Sequence, residues 1–438
     1  MYFVLKAIPF LISLNALLAS SGLYDDDYDY CQARRPSKSK YKPLPHAKLV
    51  HVQLVVRHGD RAPVWPLLNE HDVTWDCDEV QEFSRLKGSK VQYDSGKFKY
   101  QVIIPKQNSL SQAFWKGTCL NGQLTTKGKL QHKDLGRALR EIYINKLRFL
   151  PNKLADNNML FIRSSDIIRT KQSAQSILTG LYPKSKRNIE DPLTIHYEPS
   201  EIETMKFNKW ICPRYTQLSD AMINTSYYHA YYEEAQLLKA KLDQILTPQS
   251  LNWPDKTMVS YMDSMRCRQC HEKPLPCRGS KCITQEMADD LYRLVDKEYA
   301  YTHRDAELAD EANAAVLGWL MRDILSGMIS NRRKQVQTKF EIFSGHDDTI
   351  FGLLGLLKAK DMRWPPFASN IIFELWKSHK NYYVRVLYNG EVLEVKHAWC
   401  KLNACPFDKF LGYIEPKLPA SPNDCSEKPM SLGKFTVM

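Results

Sequence analysis

Lys48-Leu49-Val50-His51-Val52-Gln53-Leu54-Val55-Val56, followed at once by Arg57-His58-Gly59-Asp60-Arg61-Ala62-Pro63, is the stretch that decides the fold. Its first part is a β-branched, nearly unbroken apolar run of the length expected for a strand buried on both faces. The run stops at a charged string whose Gly59 allows another backbone to approach the strand end closely. A phosphate dianion needs cations in a fixed fork geometry, which arginine supplies, and a nearby nucleophile that carries the phosphoryl group for a time. A histidine does this when it is neutral. Surrounding cations depress an imidazole's pKa, so His58 among arginines is expected to stay unprotonated in a mildly acidic compartment.

The same design recurs along the chain. Met159-Leu160-Phe161-Ile162 reads as a short strand. Ser164, Ser165 and Asp166 then predict the cap of a helix with apolar positions Ile168, Ala174, Ile177, Leu178 and Leu181. Phe340 to Phe343 is a third strand, ending at Ser344-Gly345-His346-Asp347 before an apolar helix from Thr349 to Leu357. Ligands of α/β sheets gather at the carboxyl ends of strands, so three polar clusters are expected to converge on one site. Ile371 to Trp376 and Tyr382 to Tyr388 are β-rich, and Asn389-Gly390 turns the second into Glu391 to Val395 as a hairpin.

The expected fold is therefore α/β, a mixed, mainly parallel sheet flanked by helices and built from residues 46–196 and 335–425, with an insertion over 64–121. Helix-forming sequence over 197–334, including Asp310 to Met328, is expected to form an α-helical cap. Residues 1–22 have the layout of a signal peptide or an uncleaved signal anchor: Lys6, the apolar run Ala7 to Leu18, then Ala19 to Gly22. Either reading sends the remaining chain into the secretory lumen, as a Golgi, lysosomal or secreted protein, or as a single-pass type II membrane protein if the anchor stays. Residues 23–45, acidic and then basic with little apolar periodicity, read as a flexible stem.

The chain of 438 residues is 43% hydrophobic and 25% charged, which suits a globular protein with a sizeable core. Its 11 cysteines suit an oxidising compartment, and the odd number leaves a free thiol, expected at Cys31 in the stem. Cys267, Cys270, His271, Cys277 and Cys282 have a zinc-like spacing, but in such a compartment the cysteines among them read as disulfide partners. Asn224-Thr225-Ser226 is a glycosylation sequon. The net charge of +12 either favours anionic partners or is spread over a solvated surface. A lumenal chain without a zinc-finger or RNA-binding signature is not expected to bind nucleic acid. Trp65, Trp75, Trp115 and Trp210 either line a sugar-binding groove or pack in the core. Arg163 is read as a brace for its strand, and His51, His132, His196 and His397 as packed or hydrogen-bonded side chains.

Arg57 to Pro63 resembles the RHGxRxP signature of the histidine acid phosphatases, within the histidine phosphatase superfamily. Gly122-Gln123-Leu124-Thr125 with Gly128 resembles the family's GQLTxxG helix, Arg163 to Thr170 its RSTDxxRT segment, and Gly345 to Thr349 its AHDxT segment. Ser165 and Gly345 stand where the family usually has threonine and alanine. The resemblance covers roughly residues 48 to 410 and implies a phosphoric monoester hydrolase working through a phosphohistidine. It makes His58 the nucleophile, Asp347 the proton donor to the leaving alcohol, and Arg57, Arg61, Arg169 and His346 the phosphate-binding set, with no cofactor and no metal. Tyr261 to Met265, the following cysteines, Phe373 to Trp376 and Val384 to Gly390 further resemble the 2-phosphoxylose phosphatases. Those act in the Golgi on phosphorylated xylose in the glycosaminoglycan-protein linkage region, a proteoglycan substrate whose charge would suit this basic chain. Inositol polyphosphate, lysophospholipid or phosphoprotein substrates, and a catalytically silent lumenal binding protein, are the rival expectations.

Overall fold

The apolar run is a central strand, β1 (Lys48–Arg57), hydrogen-bonded along both edges. The computed structural model describes residues 28–67, 70–77, 84–87, 90–93, 114–187, 192–208, 212–246 and 257–426. Its remaining strands are β2 (Thr74–Trp75), β3 (Ser84–Lys87), β4 (Lys90–Tyr93), β5 (Lys116–Gly117), β6 (Leu160–Ser164), β7 (Cys277–Arg278), β8 (Lys281–Cys282), β9 (Phe340–Gly345), β10 (Asn370–Ser378), β11 (Asn381–Tyr388), β12 (Glu391–Val392) and β13 (Cys405–Pro406). The helices are α1 (Thr126–Leu139), α2 (Ile168–Leu181), α3 (Pro213–Ile223), α4 (Ser226–Leu246), α5 (Met258–Cys270), α6 (Gln285–Ala300), α7 (Ala309–Arg332), α8 (Asp347–Leu356) and α9 (Phe407–Ile414).

The main sheet runs β12-β11-β10-β1-β9-β6, with β13 beside β11. Side chains of a strand alternate between faces. Val52, Leu54 and Val56 of β1 join Leu135 and Leu139 of α1 and Ile177 of α2 in one core, while Val55 enters a second core with Ile324 of α7 and Ile350 and Phe351 of α8. Both faces being covered is why the sequence is apolar without alternation. The sheet is mixed, as expected, but not mainly parallel: β1, β9 and β6 are parallel, whereas β10, β11, β12 and β13 add antiparallel pairs. Tight turns join β10 to β11 and β11 to β12, and a tight turn can only return a strand antiparallel.

Several expectations are corrected. The last helix of the interval read as a cap, α7, lies on β1 and α8, because its apolar residues Leu317, Leu320 and Ile324 are buried and belong against the sheet. Helix α2 has Ile167 as N-cap with no side-chain cap, since Ser165 Oγ is engaged by His346 and Thr170, and Ile168 points outward. The described part of the stem, 28–45, is packed: Tyr30, Ala33, Tyr41 and Leu44 are buried, and Tyr41 donates to the buried Glu374 carboxylate at 2.6 Å.

Cys31 is bonded to Cys270, so the free thiol is instead Cys267, buried on α5. The other disulfides are Cys77–Cys119, Cys212–Cys425, Cys277–Cys282 and Cys400–Cys405. They mark a protein of an oxidising, secretory-pathway compartment. Among the described residues no helix is long and apolar enough to cross a membrane. Residues 1–22, most of the 64–121 insertion and Trp210 lie outside the described residues. Trp75 and Trp115 are core residues, and Trp65 is exposed.

His132 on α1 is wholly buried, and burial holds its pKa down to about 3. An unfolded imidazole takes its proton near pH 6.5 and the folded one does not, so this contribution to stability is present above about 6.5 and is lost as pH falls towards 3. The urea midpoint is expected to drop between pH 6 and pH 4. In His132→Gln the pH slope of the unfolding free energy from the same titrations should be shallower by roughly 1.4 kcal/mol per pH unit; equal slopes in the two proteins would show that this imidazole is not responsible.

Candidate active site

Parallel strands β1, β9 and β6 end side by side, and the residues just beyond them face one pocket. Beyond β1 the chain is fixed by close packing. A Cβ on Gly59 would collide with the Gly128 backbone, and one on Gly128 with Asp60, so both glycines are needed for α1 to press against the loop. Thr125 caps α1 by accepting from Gly128 N at 3.1 Å, and its hydroxyl also donates to the Asp60 carboxylate. The Gly122 to Gly128 segment thus clamps the 57–61 loop.

His58 is buried, and its Nδ1 lies 2.8 Å from Gly59 O. A carbonyl only accepts, so Nδ1 carries the hydrogen and Nε2 keeps its lone pair. Burial, then Arg169, Arg61 and Arg57, push the His58 pKa well below that of a free imidazole. His58 is therefore neutral in mild acid.

Arg57 is fully buried, donating to Pro365 O and Tyr30 Oη and pairing with Asp347 Oδ2 at 3.0 Å, with its guanidinium 4.4 Å from the centre of the Phe367 ring. Arg61 pairs with Asp263 Oδ1 of α5 at 2.7 Å. Arg169 enters from the first turn of α2; burial lowers its pKa to about 10, which leaves it cationic. His346 caps α8, its ring 5.7 Å from that of His58 and its Nε2 2.8 Å from Ser165 Oγ. The first turn of α8 adds the positive end of its dipole.

Two adjacent carboxyls diverge. Burial disfavours ionisation of Asp347, but Arg57, Arg61 and His346 outweigh it and hold its pKa below the usual range. Asp348 is pushed up to about 7 by burial and by Asp347, and it turns away to accept from Phe207 N at 3.0 Å and Thr349 N at 2.8 Å. Asp347 faces the arginines and Asp348 secures the helix.

His58, Arg57, Arg61, Arg169, His346 and Asp347 are thus brought together. Arg163 stays out, bound to Glu203 at 3.1 Å and Asp323 at 2.9 Å. Asn224 is an exposed residue ending α3. The zinc-like cysteines are used otherwise, Cys270 with Cys31 and Cys277 with Cys282. Sequence reasoning missed Asp263, whose other oxygen accepts from Val64 N at 2.7 Å, and His271, whose Nε2 donates to Asp60 Oδ1 at 2.7 Å. It also missed Tyr30, and it read Ser165 as a helix cap and as a replacement for threonine, not as the partner of His346. No periodicity or spacing signals that α5 reaches the loop some 200 residues earlier.

The sequence model described as histidine phosphatase superfamily (branch 2) matches residues 48–389. The chain belongs to this superfamily. This phosphatase is 30% identical to counting factor 60 of Dictyostelium discoideum, over 87% of the chain and 88% of that protein. It is 26% identical to 2-phosphoxylose phosphatase 1 of Xenopus tropicalis, over 91% of the chain and 80% of that protein. The phytase of Citrobacter braakii shares the fold with a TM-score of 0.57 and 16% identity, over 87% of the chain and 100% of the phytase chain.

In this phosphatase Asp263→Ala frees Arg61 from its carboxylate. An aryl phosphate assay is expected to show kcat/KM lower by roughly 10- to 100-fold, about 1.4 to 2.7 kcal/mol. Asp263→Asn, which keeps a polar partner, should recover part of it. Unchanged kinetics in both would mean that Arg61 is held without α5.

Proposed function

We propose that this phosphatase hydrolyses phosphomonoesters through a phosphohistidine at His58. The observation that carries the reading is the His58 ring, with Nδ1 tied to Gly59 O, Nε2 free, and a pKa depressed by burial and the surrounding arginines. Arg61, Arg169 and His346 hold the phosphoryl oxygens, and Arg57 joins them from behind while it orients Asp347. His58 Nε2 forms the P–N bond as the ester P–O bond breaks. Asp347 gives its proton to the departing alkoxide, which leaves poorly unless protonated. Water then attacks phosphorus, Asp347 takes the water's proton, the P–N bond breaks and phosphate leaves.

Asp347 is ionised in the free enzyme, where it pairs with Arg57. A bound phosphate dianion competes for Arg57 and sets negative charge beside the carboxylate, which raises its proton affinity. Substrate thus loads the acid, most effectively at acidic pH. His58→Ala should abolish both turnover and acid-labile phosphoenzyme with the melting temperature retained; substantial residual activity would refute the covalent route. Asp347→Asn should slow an alkyl phosphate about 10²-fold or more while slowing p-nitrophenyl phosphate much less, because only the poor leaving group needs the proton. Equal losses on both substrates would remove Asp347 from the acid role.

For the substrate, we propose 2-phosphoxylose in the glycosaminoglycan-protein linkage region, in the Golgi. The reading is supported by the likeness to 2-phosphoxylose phosphatase 1, by the oxidising compartment that the disulfides mark and by the +12 charge. The deciding assay compares phosphate release from a linkage oligosaccharide carrying xylose 2-phosphate with that from inositol hexakisphosphate and a lysophosphatidic acid. A strong preference for the xylose ester is expected, and preference for either rival would replace this substrate while leaving the chemistry.

A further inference from the structure

Far from the phosphate pocket, a groove of 670 Å³ opens at the other end of the main sheet. Its wall carries Lys48, Arg148, Lys334, Lys339 and Lys377, and no acidic residue. Lys48 begins β1, Lys339 immediately precedes β9, and Lys377 lies near the end of antiparallel β10, so all three stand at the strand ends opposite His58. Ten residues of β1 at about 3.3 Å each put roughly 30 Å between the groove and the catalytic loop. The groove is a separate feature.

Three observations show that this charge is not ordinary surface charge. None of the five cations pairs with a carboxylate among the described residues, although other cations of the chain, such as Arg35, Lys38 and Lys360, do. Lys48 and Lys377 are cross-strand partners, and like charges directly opposite one another destabilise a sheet. Arg148 and Lys334 have left-handed backbone, with φ of 50° and 58°, at positions where glycine or asparagine would be less strained. The chain thus carries repulsion and strain at one concave place, where a bound polyanion would relieve the repulsion.

We propose that this groove is a second anion site that docks a sulfated or carboxylated polysaccharide chain. A concave site of this volume is in the range of pockets that enclose small ligands, and it does not offer the flat face a lipid surface would need. Half-buried Phe149 and Tyr382 line it and hold two of the cations in place, with Lys339 Nζ 6.0 Å from the centre of the Phe149 ring and Lys377 Nζ 5.6 Å from that of Tyr382. Several weak charge contacts along one chain add up, and binding of that kind is strongly salt-dependent. The site would hold the enzyme on an anionic glycan independently of the chemistry at His58.

The test uses the whole protein and a heparin-derived octasaccharide, with affinity measured by calorimetry at low and at physiological salt. Lys48→Gln/Lys339→Gln/Lys377→Gln is expected to weaken binding about tenfold or more and to flatten its salt dependence, with p-nitrophenyl phosphate turnover unchanged and melting temperature equal or higher. The matching triple arginine variant should bind like wild type, which separates lost charge from lost fold. Binding within twofold of wild type in the glutamine variant would overturn the proposal. So would tighter, Lys-dependent binding to phosphatidylserine vesicles than to the octasaccharide, or competitive inhibition of turnover by the octasaccharide, which would put the polyanion in the phosphate pocket instead.

Discussion

Arg57 has no exposure to solvent, and it stands near the buried imidazole of His58, whose pKa it helps to lower. Removing a guanidinium from water costs several kcal/mol unless its hydrogens and its charge are met inside the protein. Here the terminal nitrogens are met by Pro365 O, Tyr30 Oη and the Asp347 carboxylate, and the charge also by the faces of Phe367 and Tyr30, while the buried Nε has no hydrogen-bond partner. Arg61 repeats the solution with Asp263. The partners come from four separate parts of the chain, Tyr30, Asp263, Asp347 and the 365–367 stretch, so the arrangement is complete only when all four are docked. Cys31–Cys270 joins the segment carrying Tyr30 to the helix carrying Asp263, which restrains two of the suppliers with one crosslink.

The same pairing prepares the pocket for its ligand. In the free protein Arg57 and Arg61 are paired with carboxylates, which offsets part of the positive charge around His58. In the proposed reaction an arriving phosphate would take over the cations and leave the carboxylates with less reason to stay ionised. The divergence of Asp347 from Asp348 shows how two adjacent acids acquire different work: one faces guanidinium groups and the other backbone N–H groups. Neutral His58 follows from the same field, because every nearby arginine opposes a further positive charge. Histidine phosphatase chemistry is in this sense an electrostatic property of the strand ends rather than of any one residue.

The sequence by itself determined the strand ends and the cations beyond them. Apolar runs that end in Arg57-His58-Gly59 and in Gly345-His346-Asp347 are local patterns, and parallel strands carry their C-terminal residues to one edge whatever lies between them. The α/β class and the Asn389-Gly390 hairpin were legible for the same reason, since each rests on patterns among near neighbours, whereas the helix start at Gly122 to Gly128 came only from the family resemblance. Only the tertiary structure decided the partners. That Asp263 would close on Arg61, that Cys31 would find Cys270, and that residues 28–45 would pack rather than hang as a stem, bringing Tyr30 to Arg57, depend on contacts between parts of the chain far apart in sequence. Tyr30, Asp263 and Cys31 carry no periodic signal, and their burial is set by the shape of the surface they meet. The placement of α7 on the sheet was hidden for a related reason: helix-forming sequence announces a helix but not the layer into which its apolar face will turn.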